Sequence, residues 1–385
     1  MDVSDLRIAL FSGNYNMTTD GANKALNRLV GYLLAHGAAV RVYSPTVAHP
    51  AFEPTGDLVS VPSIAIPGRS EYRVPVSFSS RVREDIVNFA PNIVHISSPD
   101  RVARQAAAWA RRRRLPVACS VHTRFETYVR YYNLSFLEPV MVAWLRKLYR
   151  KCDALIAPSE SFAQVLREQR MNYDIGIWTR GVEQAVFNPG RRDMAWRRSL
   201  GIEDDVPAIA FLGRLVMEKG LDVFADAIDV LQRRGVPHKV VVIGEGPAGE
   251  WFESRLPNAN FVGFQGGADL AHALASCDIF FNPSVTETFG NVTLEAMACG
   301  LPVVAARATG SASIVKHGQT GYLVAPGSIT GFADHLQRYC RDIQLRAEHG
   351  AAAVVESGAY QWDAINQTVA DTYVRLIRQK QRRRS

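Results

Sequence analysis

The chain has 385 residues and a formal net charge of +7. At about 150 residues per domain this length predicts two domains, and 47% apolar with 21% charged residues excludes a disordered, a collagenous or a small disulfide-rich chain. Residues 1–190 hold 23 basic and 16 acidic residues, whereas residues 191–385 hold 21 of each. The asymmetry predicts an anionic partner for the first half: nucleic acid, a phosphate-bearing ligand or an anionic membrane surface.

Short β-rich apolar runs alternate with helical patterns, which is the rhythm of parallel sheets. The first half predicts strands at 7–11, 39–44, 93–97, 117–121, 154–157 and 175–178, and helices near 22–36, 80–89, 100–114, 138–151 and 160–170. After a predicted interdomain linker at 187–207, the second half predicts strands at 208–212, 239–243, 260–262, 278–282 and 303–306, and helices near 220–234, 268–275, 291–299 and 328–350.

The sequence predicts a cytoplasmic protein. No run approaches the about 18 apolar residues that a membrane span needs, and the charged first ten residues are unlike a secretory signal. The cysteines are odd in number and widely spaced, without a Cys-x-x-Cys motif, so we expect reduced buried thiols rather than disulfides or structural zinc. They are Cys119, Cys152, Cys277, Cys299 and Cys340.

Ligands of open parallel sheets bind beyond the carboxyl ends of the strands, where loops meet helix N-termini. In the second half, Arg214 and Lys219 flank such a loop, and two cations there suit a diphosphate, although each alone also fits a surface ion pair. Gly244-Glu245-Gly246 follows the next predicted strand, where a tight turn either brings backbone to a flat ligand or is only a turn.

Two carboxylates, Glu287 and Glu295, lie before and inside the helix predicted to start near Asn291. One can accept hydrogen bonds from sugar hydroxyls and the other from a ribose diol, while the backbone of Phe289-Gly290-Asn291-Val292 offers N–H groups at the helix start. Both carboxylates can alternatively stabilise the helix dipole, but that role leaves Gly290 and the flanking loops unexplained.

The ordered set of these motifs resembles retaining glycosyltransferases of family 4. The specific parts are the seven residues between Glu287 and Glu295 and the run Glu295-Ala-Met-Ala-x-Gly-x-Pro-Val-Val. Asp20-Gly21 before a predicted helix and His122-Thr123-Arg124-Phe125 after a predicted strand also fit, so the resemblance spans essentially the whole chain.

The resemblance implies an α/β chain of the GT-B class, with two Rossmann-like doubly wound parallel-sheet domains facing each other across a cleft. It implies an N-terminal acceptor domain over residues 1–187 and a C-terminal nucleotide-sugar domain over residues 188–362. It also implies that the last helix, 363–380, packs back on the first domain.

By position, the resemblance assigns Arg214 and Lys219 to the donor diphosphate, Glu295 to the ribose, and Glu287 with the 289–292 backbone to the transferred sugar. Gly21 is expected against the diphosphate from the other domain, with Gly244, Glu245 and Gly246 also in the donor site. His122 is expected to meet the sugar, although a histidine at a strand end is commonly structural.

The donor is expected to be a UDP- or GDP-linked hexose, with neither base favoured. No Asp-x-Asp pair occurs in the sequence, so a metal bridging the diphosphate has no obvious ligands, and we expect no metal and no other cofactor. The resemblance implies front-face attack in which the leaving phosphate accepts the acceptor's proton. Glu287 is the one other nucleophile that the sequence offers.

The expected acceptor is a membrane lipid. Trp144 lies on an apolar stripe beside Arg146, Lys147, Arg150 and Lys151, which is typical of a helix in a membrane interface. The stripe can equally face the core. Tyr128, Tyr131 and Tyr132 follow His122 in a run similar to lipid-directed mannosyl- and sulfoquinovosyl-transferases of the family. We therefore expect a peripheral protein on the inner face of the cell membrane.

Three alternatives remain. One is a glycosyltransferase with a soluble, polysaccharide or lipopolysaccharide-type acceptor. Another is a non-enzymatic module for nucleic acid or an anionic surface, but the arginines are not interleaved with stacking aromatics and no helix-turn-helix or zinc pattern occurs, so we expect no nucleic-acid partner. The third is a related phosphorylase or epimerase, for which no pyridoxal-lysine context is recognisable.

Overall fold

The computed structural model describes residues 1–18, 20–66, 69–124 and 135–383. Two compact units form, each around its own sheet: one contains Met1–Arg180 and Trp362–Ser385, and the other contains Gly181–Gln361. Both sheets are parallel, and α-helices lie between most of their successive strands. The predicted α/β class with two doubly wound parallel sheets is therefore confirmed.

The first unit is built on a seven-stranded sheet in the order β3-β2-β1-β6-β7-β8-β9. The strand order reverses between β1 and β6, which makes a topological switch point there. Its strands are β1 Arg7–Phe11, β2 Ala39–Ser44, β3 Asp57–Ser60, β6 Ile93–Ile96, β7 Val117–Ser120, β8 Ala154–Ala157 and β9 Ile175–Ile177. A separate antiparallel hairpin pairs β4 Ser63–Ile66 with β5 Arg69–Pro75.

Four helices of the first unit begin where polar side chains cap their free N–H groups. Asp20, Ser79, Asp100 and Ser159 each accept hydrogen bonds from the first turn of the helix that follows. The helices are Gly21–Ala35, Ser80–Phe89, Arg101–Arg112, Glu138–Tyr149, Glu160–Glu168 and Trp362–Arg382. Central strands β6, β7 and β8 are buried throughout, because helices cover both faces of a parallel sheet.

The last helix, Trp362–Arg382, belongs to the first unit. Its Arg375 pairs with Asp174 at 2.6 Å, directly before β9, and its Asn366 accepts a hydrogen bond from Trp178 Nε1 at 3.2 Å. Its Tyr373 is fully buried and hydrogen-bonded to His95 on β6. The helix thereby completes the core around a sheet whose strands all lie in the first half of the chain.

The second unit contains a six-stranded sheet in the order β12-β11-β10-β13-β14-β15. Its switch point lies between β10 and β13. Its strands are β10 Ala208–Leu212, β11 Lys239–Ile243, β12 Asn260–Phe261, β13 Ile279–Asn282, β14 Val303–Ala306 and β15 Gly321–Val324. Its α-helices are Met194–Ser199, Leu221–Arg233, Gly249–Arg255, Gly267–Ala275, Asn291–Ala298, Ile329–Arg341 and Ile343–Ser357.

Two local expectations differ from the structure. The single helix predicted over 328–350 is wrong, because Asp342 leaves helical geometry (φ −113°, ψ 94°) and its side chain caps a second helix at Leu345 N. The segment 187–207 was expected to be a linker, but it packs within the second unit. There the fully buried Arg197 donates to Asp278 Oδ2 at 2.8 Å, immediately before β13.

Candidate active site

Two loops flank the switch point of the second sheet, and both carry predicted donor residues. The loop after β10 runs from Gly213 through a short 3-10 turn, Met217–Lys219, into the helix that begins at Leu221. The loop after β13 leads to Gly290 and the helix Asn291–Ala298. Since ligands of such sheets bind in the crevice at this point, these loops form the candidate donor site.

Lys219 and Glu287 connect the two loops. Lys219 Nζ lies 3.1 Å from Glu287 Oε1, and the two side chains are 29% and 12% exposed. Arg214, by contrast, is exposed on the first loop. Of the two predicted diphosphate ligands, one is therefore already paired with a carboxylate that was predicted to hold the sugar.

Glu287 is held by residues that the sequence analysis missed. Asn282, the last residue of β13, is buried and points Nδ2 at Glu287 Oε2 (3.5 Å) and Thr293 Oγ1 (3.1 Å). Thr309, after β14, donates to the backbone oxygen of Glu287 at 2.7 Å. Both lie at the carboxyl ends of neighbouring strands, and that position is the signal by which they could have been found.

Gly213, Gly244 and Gly246 bring the loops after β10 and β11 into direct backbone contact. A Cβ on Gly244 would lie 2.0 Å from Gly213 O, and one on Gly246 would lie 2.4 Å from Leu215 O. Glu245 is exposed and accepts a hydrogen bond from Phe264 N at 3.2 Å, which joins its loop to the one after β12. The glycines are needed for this close packing, whatever they do for a ligand.

The helix Asn291–Ala298 starts at Gly290, which is in the left-handed region (φ 100°) and supplies no side-chain cap. A ligand oxyanion can take the place of such a cap. Phe289 is buried against Tyr360, Asn291 and Val292 form the half-buried first turn, and Glu295 follows one turn later, also half-buried. The structure thus gathers these predicted donor residues at one edge of the second sheet.

In the first unit, Gly21 and His122 occupy the carboxyl edge of the other sheet. Gly21 is the first residue of its helix and follows the cap residue Asp20. His122 lies two residues beyond β7, where its Nδ1 is 2.8 Å from Arg180 Nη2 and its ring meets Trp178 edge-on at 5.5 Å. The sequence analysis missed Arg180; the signal was an arginine three residues beyond the short strand β9.

Burial and charge keep the His122 ring neutral. Burial lowers the pKa of His122 well below its usual value of 6.5, and the nearby Arg180 and His95 lower it further. His95 belongs to the core, because its ring nitrogens contact Tyr373 Oη and Ser120 Oγ and burial lowers its pKa to about 3. Only His122 of these two rings lies at the loop edge of the sheet.

In the helix Glu138–Tyr149, some residues of the predicted interfacial stripe are buried and others are exposed. Leu145 and Leu148 are buried, whereas Trp144 is 38% exposed, Val140 63% and, just before the helix, Phe136 73%. Arg104, from the neighbouring helix, lies over the Trp144 ring at 4.4 Å. The outer face of the helix therefore combines an apolar row with cations.

The predicted basic residues lie in the last turn of this helix (Arg146 and Lys147) and just beyond it (Arg150 and Lys151). Lys147 and Lys151 are exposed, as is Arg150. Arg146 and Arg150 donate through Nε to the backbone oxygens of Gln169 and Arg170, at 2.8 and 3.0 Å, so they also hold the helix in place. Tyr128, Tyr131 and Tyr132 lie outside the described residues. In the part of the chain that the structure describes, no helix is long and apolar enough to cross a membrane.

Comparison with known proteins agrees with this arrangement. Residues 19–185 match the model described as Glycosyltransferase Family 4, and residues 206–342 match the model described as Glycosyl transferases group 1. The chain belongs to glycosyltransferase family 4. As the motifs predicted, both halves of this glycosyltransferase carry the family's sequence pattern.

Several curated proteins are similar to this glycosyltransferase. A GDP-mannose-dependent alpha-mannosyltransferase from Corynebacterium glutamicum is 28% identical over 99% of this chain and 91% of its own length. The Sulfoquinovosyl transferase SQD2 from Arabidopsis thaliana is 34% identical over 76% of this chain and 58% of its own length. A GDP-mannose-dependent alpha-mannosyltransferase from Mycolicibacterium smegmatis is 29% identical over 87% of this chain and 90% of its own length.

Solved structures support the GT-B fold. A sucrose-phosphate synthase from Thermosynechococcus elongatus has a TM-score of 0.77 at 19% identity, over 96% of this chain and 98% of its own. WaaG, a glycosyltransferase involved in lipopolysaccharide biosynthesis, has a TM-score of 0.68 at 17% identity, over 94% and 99%. At these identities the likeness concerns the fold alone.

Proposed function

We propose that this glycosyltransferase moves a hexosyl unit from a UDP- or GDP-linked sugar to a membrane lipid, with retention of anomeric configuration and without a metal. The observation that carries the proposal is the Lys219–Glu287 pair at the switch point of the second sheet, beside a helix start without a side-chain cap. GDP-mannose is the first donor to test, because two of the relatives described above are named as GDP-mannose-dependent.

In this proposal Lys219 and Arg214 take up the negative charge of the departing diphosphate. The pair with Glu287 is broken or shared when the donor binds, since a diphosphate carries more negative charge than the single carboxylate that Lys219 contacts in its absence. Glu287 and the N–H groups of the 289–292 segment then hold sugar hydroxyls, and Glu295 holds the ribose. Fixed cations of this kind stabilise charge that develops in the transition state.

The proposed transfer is a front-face displacement. The bond between the anomeric carbon and the phosphate oxygen breaks, the acceptor oxygen bonds to the same carbon on the same face, and the acceptor's proton passes to the departing phosphate. Glu287 is not a nucleophile in this scheme, because it hydrogen-bonds hydroxyls of the transferred sugar while Asn282 holds its other oxygen. The unmodified enzyme incubated with the donor is therefore expected to show no covalent glycosyl adduct on Glu287 by mass spectrometry.

The acceptor assignment rests on the first unit. The apolar row Phe136, Val140 and Trp144 leads along one helix face towards Lys147 and Lys151, and such a face suits an anionic bilayer. Because this helix connects the end of β7 to the start of β8, it runs from the carboxyl edge of the sheet, where His122 lies, to the amino edge. The apolar end of the row lies on the carboxyl edge, the same side of the sheet as His122, so a lipid whose acyl chains contact this row lies on the catalytic side of the unit.

A donor panel tests the proposal. GDP- and UDP-hexoses, including nucleotide-linked sulfoquinovose, are screened for a rise in melting temperature, and the stabilising donor is assayed for nucleoside diphosphate release with lipid extract, with and without EDTA. Release that requires lipid and survives EDTA supports the proposal. Release with soluble sugars or polysaccharide alone overturns the lipid acceptor, and loss of release in EDTA overturns metal independence.

Matched variants test the cations. Arg214→Met with Lys219→Met is expected to abolish detectable transfer, because each lost contact to the transition state costs on the order of 100-fold. Lys239→Met is the control, since Lys239 lies at the start of β11, on the opposite edge of the same sheet. Full turnover in the double variant would refute the proposed role of the cations.

A further inference from the structure

Arg180 contacts the Nδ1 atom of His122 from the segment that follows β9. The distance from Arg180 Nη2 to His122 Nδ1 is 2.8 Å. A guanidinium has five N–H donors and no acceptor. Nδ1 must therefore accept, and a neutral ring that accepts at Nδ1 carries its proton on Nε2.

Arg180 is fixed in place by its surroundings. Its side chain is 5% exposed, Nη1 donates to the backbone oxygens of Trp178 (2.8 Å) and Thr179 (3.1 Å), and the guanidinium lies 4.8 Å from the Trp178 ring centre. Trp178 is itself held by Asn366 of the last helix. The guanidinium therefore has little freedom to turn away from His122.

Arg180 keeps its charge despite burial. Burial lowers its pKa to about 10, and the negative charge of Asp20 opposes that shift. At neutral pH a positive group consequently faces the His122 ring. A proton on Nδ1 would place two donors 2.8 Å apart, and a ring protonated on both nitrogens would also place two positive charges there, so both states are unfavourable.

We infer that Arg180 is a positioning residue that holds His122 as a neutral ring with its proton on Nε2, so that His122 serves the transfer as a hydrogen-bond donor and not as a general base. The inference rests on the proposed function, and it sharpens the role of His122. A base needs a lone pair on the nitrogen that faces the substrates, and in this tautomer the Nε2 side carries hydrogen. The proton of the acceptor must then leave by another route, as the front-face scheme supposes.

The first test reads the tautomer directly. The full chain is labelled with ¹⁵N in its histidine rings, and the His122 resonances are assigned by comparison with His122→Gln. We expect an Nε2–H tautomer that persists one pH unit below the ordinary histidine value of about 6.5. A proton on Nδ1, or protonation near that value, overturns the inference. This measurement needs no substrate, so it stands apart from any failure of the proposed function.

The second test reads the consequence for turnover. The described titratable groups that act on His122 are Arg180, from the segment after β9, and His95, from β6. Arg180→Met removes the positive neighbour but leaves the burial that is the larger cause, so the pKa of His122 rises part of the way towards its ordinary value and activity is lost at a higher pH than in the parent. We expect kcat to fall on the order of 100-fold, the scale for one misplaced donor, with little change in the KM for the donor.

Arg180→Lys is the conservative variant, because it keeps a charged donor and should recover most of kcat and the flat acid side of the pH profile. Arg28→Met is the matched control, since Arg28 also lies over a tryptophan of the first unit, Trp362, at 5.0 Å. If the melting curve shows that Arg180→Met does not fold, the inference is tested by the kinetics of Arg180→Lys and by the His122 tautomer of the unmodified chain. An Arg180→Met enzyme that melts normally and keeps the parent's kcat and pH profile refutes the inference.

Discussion

Lys219 and Glu287 close the switch point of the second sheet with a 3.1 Å ion pair between the loops after β10 and β13. The pair places a cation and a carboxylate where the family resemblance expected two separate functions. Because one side chain orients the other, their roles in the reaction are not independent.

A double-mutant cycle on Lys219→Met and Glu287→Gln measures this dependence. Each single change is expected to lower kcat/KM, and the double variant is expected to lose less than the product of the two effects. Residues in contact typically show coupling energies of about 0.5–3 kcal/mol. The exposed pair Arg234–Asp334 is the control, for which kcat/KM should not change. Multiplicative losses at Lys219 and Glu287 would show that they act separately.

Gly244 predicts a steric effect that can be separated from backbone strain. Gly244→Ala would place a Cβ 2.0 Å from Gly213 O at a φ of +134°, whereas Gly235→Ala has a φ of +63° and nothing within 4 Å. The Gly235 change should cost about 1–2 kcal/mol of unfolding free energy, the price of a left-handed residue. Gly244→Ala should cost more and weaken donor binding, as followed by urea unfolding and thermal shift. Equal losses at both positions would contradict the close packing.

His95 predicts a dependence of stability on acid. Its pKa is lowered from 6.5 to about 3 in the folded chain, so below pH 6.5 the unfolded chain binds a proton that the folded one does not. Stability therefore falls as the pH falls from about 6.5 to about 3, by about 1.4 kcal/mol per pH unit for this group. In His95→Asn, the unfolding free energy from urea titrations should fall less steeply with pH across this range, by the slope that corresponds to about one bound proton. A slope that does not change would contradict a buried neutral His95.

The outer face of the helix Glu138–Tyr149 predicts binding to anionic vesicles. Lys147→Gln with Lys151→Gln removes about 2 kcal/mol at about 1 kcal/mol per cation, which is a weakening of roughly 30-fold. Phe136→Ser with Val140→Ser should weaken binding to both anionic and neutral vesicles, measured by co-sedimentation. Val87→Ser is the control, because Val87 is also exposed (49%) on a helix of the same unit. Unchanged binding in both double variants would leave this face without a membrane role.

Much of the fold could be predicted because buried parallel strands read as apolar runs bounded by turns. The strands β1, β2 and β10 agree with the prediction residue for residue. The hairpin of β4 and β5 was not predicted, nor was the edge strand β3, whose central residues are only half-buried. β3 and the hairpin expose much of their apolar surface, Ile64 and Val74 included, so their sequences lack the strong apolar signal. The edge strand β15 was not predicted either, although all four of its residues are buried.

The sequence predicted which loops carry the candidate site but not which of their side chains contact each other. Position after a strand was enough to select Lys219, Glu287 and His122. The sequence could not predict the contact between Lys219 and Glu287, which are 68 residues apart, or the contact between His122 and Arg180, which are 58 residues apart. Distances of this kind depend on strand order, which a single sequence does not reveal. The catalytic roles themselves stay predictions.

The buried contact between Tyr373 and His95 spans 278 residues of sequence. During synthesis on the ribosome, the first unit therefore lacks its closing helix until the whole of the second unit has been translated. The second unit, which is continuous from Gly181 to Gln361, is free to fold in that interval, while β9 and His95 of β6 still lack the helix that packs on them. Nascent chains are thus expected to stay prone to aggregation in their N-terminal half until translation is nearly complete.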